Sequence, residues 1–167
     1  MSTKTLMSVE EYLHTTFDGA DREYLDGEVI ERNMGNKSHS AVQGEFFFQF
    51  RLQRNRTGLI ALPELRHRLG ERRFRIPDIA VFEGEPATEI PELPPLVAIE
   101  ILSPDDRIGY IIPKLEEYRA WGVKHIWIAD PEDRKFFTYS EDGLHEASEL
   151  TLAGFGITIT KAEIFGA

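Results

Sequence analysis

The run Leu96-Val-Ala-Ile-Glu-Ile-Leu102 constrains the fold more than any other stretch of this chain. It is the most apolar segment of the sequence and reads as a central strand covered on both faces. Its one polar residue is Glu100. Side chains alternate along a strand, so Glu100 shares a face with Ala98 and Leu102. A carboxylate in such a place is costly unless a cation, a proton or hydrogen bonds compensate it. Either Glu100 serves a site, or it pairs with an arginine or caps a nearby helix.

Asp78 poses the same question. It follows Pro77 at the head of a second buried run, Ile79-Ala-Val-Phe82, on the face of Ala80 and Phe82. Alone, Pro-Asp before a strand is also a common turn. With Glu100 on an adjacent strand, both carboxylates reach one point. Two hard oxygen ligands suit Mg²⁺ or Mn²⁺, which keep several waters, and the Ile101 carbonyl is a candidate third ligand.

The remaining elements follow from local signals. Ser8 to Glu11 is a capping box that predicts a helix from Val9 to about Thr16. Tyr24 to Ile30 reads as two strands around Asp26-Gly27. Ser38 or Ser40 is the expected cap of a phenylalanine-rich helix that runs to about Asn55 and stops at Gly58. Leu59 to Leu62 is a strand, and Leu65 to Leu69 with Arg73 to Ile76 form a hairpin. The proline- and acid-rich stretch 84–95 is a loop long enough to be a lid or rim. After Ser103-Pro104 a helix is expected with Pro113 in its first turn, carrying Leu115, Tyr118 and Trp121 to Gly122. Lys124 to Ala129 is a strand, Lys135 to Ala147 a hairpin around Asp142-Gly143, and Thr160 caps a short final helix. With no repeat or internal linker, 1–167 reads as one mixed α/β domain.

Three further residues are candidates. Lys114 follows Pro113; a lysine there could orient a water or stabilise charge on a phosphate, or it is a solvated helix residue. His39 begins the phenylalanine-rich helix and is either structural or part of a site. Glu23 precedes the Asp26-Gly27 turn and either orients a site or pairs with an arginine.

Charge narrows the partners. The net charge of −10 excludes a protein that coats nucleic acid by electrostatics alone. Yet residues 51–75 hold eight arginines against Glu64 and Glu71. Arg66, Arg68, Arg73 and Arg75 within it are a candidate nucleic-acid contact, a local positive surface on an acidic chain. They could equally be strand residues whose long stems cover apolar surface. The absence of cysteine excludes disulfides, zinc-thiolate sites and cysteine nucleophiles. No segment approaches the roughly 18 apolar residues of a membrane span, and Met1 to Glu11 lacks a signal-peptide core. A cytoplasmic protein is expected. The phenylalanines at 46–50 exceed what one helix face buries, so a homodimer is expected as well.

The order of these features resembles a known family. Tyr24-Leu-Asp-Gly-Glu28, Ser38-His39, Pro77-Asp78-Ile-Ala-Val, Ala98-Ile-Glu100-Ile-Leu-Ser-Pro104, Lys114-x-x-x-Tyr118, Gly122-Val-x-His-Ile-Trp127 and Asp130-Pro131 together resemble the putative restriction endonuclease family of the PD-(D/E)XK nuclease superfamily. The resemblance covers about residues 6–165. It implies a restriction-endonuclease-like mixed sheet flanked by helices and a metal-dependent phosphodiesterase site, with DNA the expected substrate. Asp78 and Glu100 match the family's two acids. The superfamily's lysine would fall at Leu102; related proteins supply it from the neighbouring helix, where Lys114 stands. His39 and Glu23 match recurrent positions. The loop before His39 lacks a proline common in the family, and Pro113 replaces a frequent acidic residue. Two other readings stay open: a nuclease fold used for binding or regulation with weak or no catalysis, and an interaction protein whose buried acids are salt-bridged.

Overall fold

The Val97–Ile101 strand is buried along its whole length. Its alternate side chains serve two separate cores. Val97, Ile99 and Ile101 face one apolar cluster, whereas Ala98 and Leu102 face another. The computed structural model describes residues 6–167, so the first part of the Met1–Glu11 stretch lies outside the described residues.

In chain order the elements are α1 (Val9–His14), β1 (Glu23–Leu25), β2 (Glu28–Ile30), α2 (Lys37–Thr57), β3 (Leu59–Pro63), β4 (His67–Gly70), β5 (Arg73–Arg75), β6 (Ile79–Glu83), β7 (Val97–Ile101), α3 (Ile108–Trp121), β8 (His125–Asp130), β9 (Lys135–Ser140), β10 (Gly143–Ala147), β11 (Glu149–Leu152), β12 (Ile157–Thr160) and α4 (Lys161–Phe165). Six strands form the main sheet in the order β10-β9-β8-β7-β6-β3. Only β7 and β8 run parallel, because α3 carries the chain back between them. Every other neighbour is antiparallel, which makes the sheet mixed, as the sequence implies. A second antiparallel sheet, β2-β1-β5-β4, carries Glu23 and Arg75. The pair β11-β12 is a third sheet that the sequence reading missed.

Helix α2 covers one face of the main sheet and α3 the other. From α2, Phe46 and Phe50 pack against Phe136 and Trp127, at ring-centroid distances of 6.0 and 6.2 Å. Phe48 and Leu52 stay exposed on its outer side. Leu115 and Tyr118 of α3 pack with Ala98, Leu102, Ile126 and Ile128.

Two sequence expectations change. The cap of α2 is Asn36, whose side chain accepts from the His39 amide, so neither Ser38 nor Ser40 is the cap. Pro113 sits inside α3 rather than in its first turn. The helix begins at Ile108, and the missing proline amide leaves the Gly109 carbonyl without its helical donor. The loop 84–95 packs beside β4, where the Arg68 amide donates to the Pro91 carbonyl at 2.9 Å. No helix among the described residues is long and apolar enough to cross a membrane.

His67 on β4 has a consequence for stability. Its ring is fully buried, stacked on Phe82 and edge-on to Trp121. Nδ1 must donate to the Leu65 carbonyl at 2.7 Å, since a carbonyl only accepts. Nε2 then has no partner. Burial, with no acceptor for a second proton, pushes the ring pKa down to about 4 from 6.5. The unfolded chain therefore takes up this proton first as the pH falls. The contribution of a neutral His67 is complete above pH 6.5 and is lost as the pH falls towards 4, about 3 kcal/mol in all. Urea unfolding should show His67→Phe losing less stability than the parent chain between pH 7 and pH 4. Equal losses would mean that His67 is not buried neutral.

Candidate functional site

The antiparallel register pairs Ala80 with Ala98 and Ile79 with Ile99. Continued by one residue past Ile79 and Ile99, it sets Asp78 across from Glu100. The ladder stops short of them, so the Ile101 amide is free to donate to Asp78 Oδ2 instead, at 2.6 Å. That bond fixes the aspartate at the place where β6 and β7 part. Both carboxylates are buried, at 4% and 5% exposure, yet both line one cavity of about 300 Å³.

Helix α3 delivers the cation. Lys114 and Tyr118 are four residues apart and so share a helix face. Lys114 Nζ lies 2.9 Å from Glu100 Oε1 and 2.8 Å from Glu23 Oε1. The Tyr118 hydroxyl donates to Glu100 Oε1 at 2.7 Å. Lys114 therefore points inward, and it bridges the two sheets. Glu23 in turn accepts from the Ile76 amide at 2.9 Å and from Arg75 Nη1 at 2.7 Å. Arg75 also forks onto Glu117 through Nε and Nη2, at 2.8 and 2.9 Å.

The other side of Asp78 holds two basic groups. Arg32, on the segment after β2, places Nη2 3.0 Å from Asp78 Oδ1 and pairs with Glu64 through Nη1. His39, in the first turn of α2, has Nε2 3.4 Å from Asp78 Oδ2. Gln43, one turn further on, donates to the Asp78 carbonyl and to Glu64 Oε1. Asp78, Glu100, Lys114, His39 and Glu23 thus converge on one cavity, which Ile101 also lines.

The acids differ electrostatically. Burial would raise the Glu23 pKa, but Lys114 and Arg75 overcome it and hold the carboxyl down at about 2. Burial raises that of Glu100; the negative charges of Asp78 and Glu23 add to the rise, and Lys114 only partly opposes it. Burial would lower that of Lys114, yet Glu100, Glu23 and Asp78 hold it above the ordinary lysine range, so the amine stays charged. For His39 burial is likewise outweighed, here by Asp78 and Glu64, and its pKa lies above the ordinary value.

The four arginines singled out in the sequence do not lie free on one surface. Arg75 is 7% exposed and belongs to the Glu23–Glu117 network. Arg66 stacks over Tyr12 and pairs with both oxygens of Asp21. Arg68 pairs with Glu92 and Arg73 with Asp26, and these two keep over a third of their side chains exposed. The sequence reading missed Arg32, Glu64 and Gln43, and it took Tyr118 only as core. Helical spacing from Lys114 signals Tyr118. Nothing in the local pattern signals Arg32.

Among the described residues, no group of three or more acidic or histidine side chains could hold a metal ion. Asp78, Glu100 and the Ile101 carbonyl are a smaller set of hard oxygen donors. It fits a hydrated Mg²⁺ or Mn²⁺, which binds through one or two carboxylates and keeps its waters. The Glu100 pKa is raised first by burial and then by the charges of Asp78 and Glu23, and a cation in the cavity would oppose both.

The network makes a clear mutational contrast. Arg75→Ala removes one of the two cations on buried Glu23, which keeps Lys114 and the Ile76 amide, and the fork on Glu117, and should cost about 2–5 kcal/mol of stability. Arg68→Ala removes an exposed pair and should cost under about 1 kcal/mol. Urea denaturation of both variants at neutral pH checks this, and similar losses would contradict the network.

Residues 9–162 match the family described as Uma2: putative restriction endonuclease. Among solved structures the chain is similar to the crystal structure of a putative nuclease belonging to DUF820 from Anabaena variabilis, with a TM-score of 0.81 and 23% identity. That match covers 95% of this chain and 97% of the other. No curated protein matches. The similarity to the Anabaena structure shows the nuclease-like fold, and the match over nearly the whole sequence shows that the chain belongs to the putative restriction endonuclease family.

Proposed function

We propose that the protein is a divalent-metal-dependent endonuclease that hydrolyses phosphodiester bonds in DNA. The observation that carries this reading is the convergence of Asp78, Glu100 and Lys114 on one cavity, in a chain of a nuclease family. Asp78, Glu100 and the Ile101 carbonyl would hold Mg²⁺ or Mn²⁺. When bound, such a cation supplies a lowered water pKa and positive charge beside the phosphate.

The chain's own residues do the rest. Lys114 donates a charged hydrogen bond to a phosphoryl oxygen or to the attacking water. Glu23 and Glu100 keep it protonated and fix its reach. Tyr118 holds the Glu100 carboxylate in place, and His39 flanks Asp78. Water oxygen bonds to phosphorus, the bond from phosphorus to the leaving oxygen breaks, and the proton the water gives up passes through solvent in the cavity to that oxygen. Arg68 and Arg73, which keep part of their side chains exposed, would contact backbone phosphates, which need no base code, whereas Arg66 and Arg75 are held by Asp21 and by Glu23 and Glu117. The proposal includes a homodimer, since cutting both strands calls for two such sites and Phe48 and Leu52 stay exposed on α2.

One observation favours a second reading. Glu23, Asp78 and Glu100 are already matched to Lys114, Arg75 and Arg32, as in a fold kept for nucleic-acid binding or regulation with little catalysis. The purely structural reading is weaker: it expects Glu100 on an arginine and Asp78 turned away, whereas Glu100 meets Lys114 and Tyr118 and Asp78 faces the same cavity.

Incubation with plasmid DNA and with RNA, in Mg²⁺ or Mn²⁺, tests the proposal. Cleavage of DNA is expected, reduced at least about 100-fold by Asp78→Ala or Glu100→Ala. Cleavage that survives both substitutions would remove the site from consideration. Metal binding without cleavage would favour the second reading.

A further inference from the structure

Asp78 has two carboxylate oxygens with different company. Oδ2 accepts from the Ile101 amide, a bond set by the backbone of β7. Oδ1 accepts from the Arg32 guanidinium at 3.0 Å, a bond made by a side chain from outside any regular element. The Asp78 side chain is only 6% exposed, so its charge needs a cation close by, and Arg32 is placed to provide one.

Arg32 is itself anchored from its far side. Nη1 pairs with Glu64, a residue with φ of +53°, a conformation that side chains other than glycine rarely adopt. The Glu64 amide donates to the Asp78 carbonyl at 3.2 Å, and Gln43 holds Glu64 Oε1 at 2.8 Å. The next residue, Asn33, is pinned through its side chain to Asp106. Glu64 is exposed enough to keep a charged partner without Asp78, and Arg32 itself lines the cavity. The guanidinium thus has two acceptors, one buried and one at the rim.

We propose that Arg32 is a resident counter-cation that exchanges with the divalent metal at Asp78. Without metal, Arg32 neutralises Oδ1. With metal bound, the guanidinium leaves Oδ1, because two cations on one carboxylate oxygen repel, and stays held by Glu64 at the rim. There it faces the cavity where a phosphate would lie and becomes one of its charged contacts. This inference rests on the metal-dependent reading given above. Arg32 and the metal are then negatively coupled, and by linkage the coupling is the same in both directions.

Calorimetric titration of the full chain with Mn²⁺ tests it. Arg32→Gln should bind Mn²⁺ about tenfold more tightly than the parent chain, since the competitor is gone. Arg32→Lys, which keeps the charge, should stay within about threefold of the parent. A residue that merely shapes the pocket would do the opposite, because its loss would loosen the ligands and weaken binding. Unchanged or weaker Mn²⁺ binding in Arg32→Gln overturns the exchange while leaving the metal reading intact. No Mn²⁺ binding by the parent chain overturns both. A second measurement needs no stable Gln variant: in ¹⁵N-labelled parent protein, the Arg32 side-chain Nε–H signal, assigned by its loss in Arg32→Lys, should shift as Mg²⁺ saturates. A signal that stays put through saturation also overturns the exchange.

Discussion

The ammonium of Lys114, between Glu23 and Glu100, holds the two main sheets and α3 in a fixed relation. Glu23 belongs to the small sheet, Glu100 to the central strand of the large one, and Lys114 to the helix that crosses between β7 and β8. Three buried charges would be costly singly. Together with the Tyr118 hydroxyl, the Ile76 amide and Arg75, they satisfy one another. The same arrangement leaves Glu100 with only part of the lysine's charge, because Glu23 shares it.

Much of this was legible in the sequence, for identifiable reasons. Glu100 was legible because an isolated carboxylate in an unbroken apolar run needs an explanation. Asp78 was legible only in combination with it, through the adjacency of two strands. The capping boxes at Ser8 and Thr160 and the turns at Asp26-Gly27 and Asp142-Gly143 are short-range signals, and each stands where it was read. What escaped was long-range or irregular. The β11-β12 pair lies beyond the strongest patterns, and its strands alternate buried and exposed residues over only four positions each. Asn36 capped α2 in preference to two nearby serines, a choice between equivalent local signals. Arg32 sits in a loop, and only the fold brings it to an aspartate 46 residues away.

The arginine-rich segment shows why charge counted along a sequence differs from charge in space. Six positive charges in excess over residues 51–75 suggest a basic surface. In three dimensions, carboxylates from distant parts of the chain answer them: Asp21, Asp26, Glu85, Glu92 and Glu117. A net charge of −10 makes such partners abundant. An acidic nuclease would then have to meet its polyanion by exchanging internal partners for phosphates, and the arginines at the margin of the fold are the ones placed to do so.

The Lys114 bridge also bears on how the molecule comes into being. Its partners enter with the first hairpin strand, β1, and the central strand, β7, and the lysine arrives after both, on α3. β7 gains its parallel neighbour only when β8 exists to pair with it. During synthesis an N-terminal portion therefore cannot complete the cavity, since Tyr110, Ile111, Pro113 and Lys114 of α3 form part of its wall. Long-range pairings of this kind are slow to close. A nascent or truncated chain ending before α3 would leave Glu100 without Lys114 and Tyr118, its two side-chain partners. Such fragments would be open to quality-control proteolysis and, on the proposed mechanism, unable to cut.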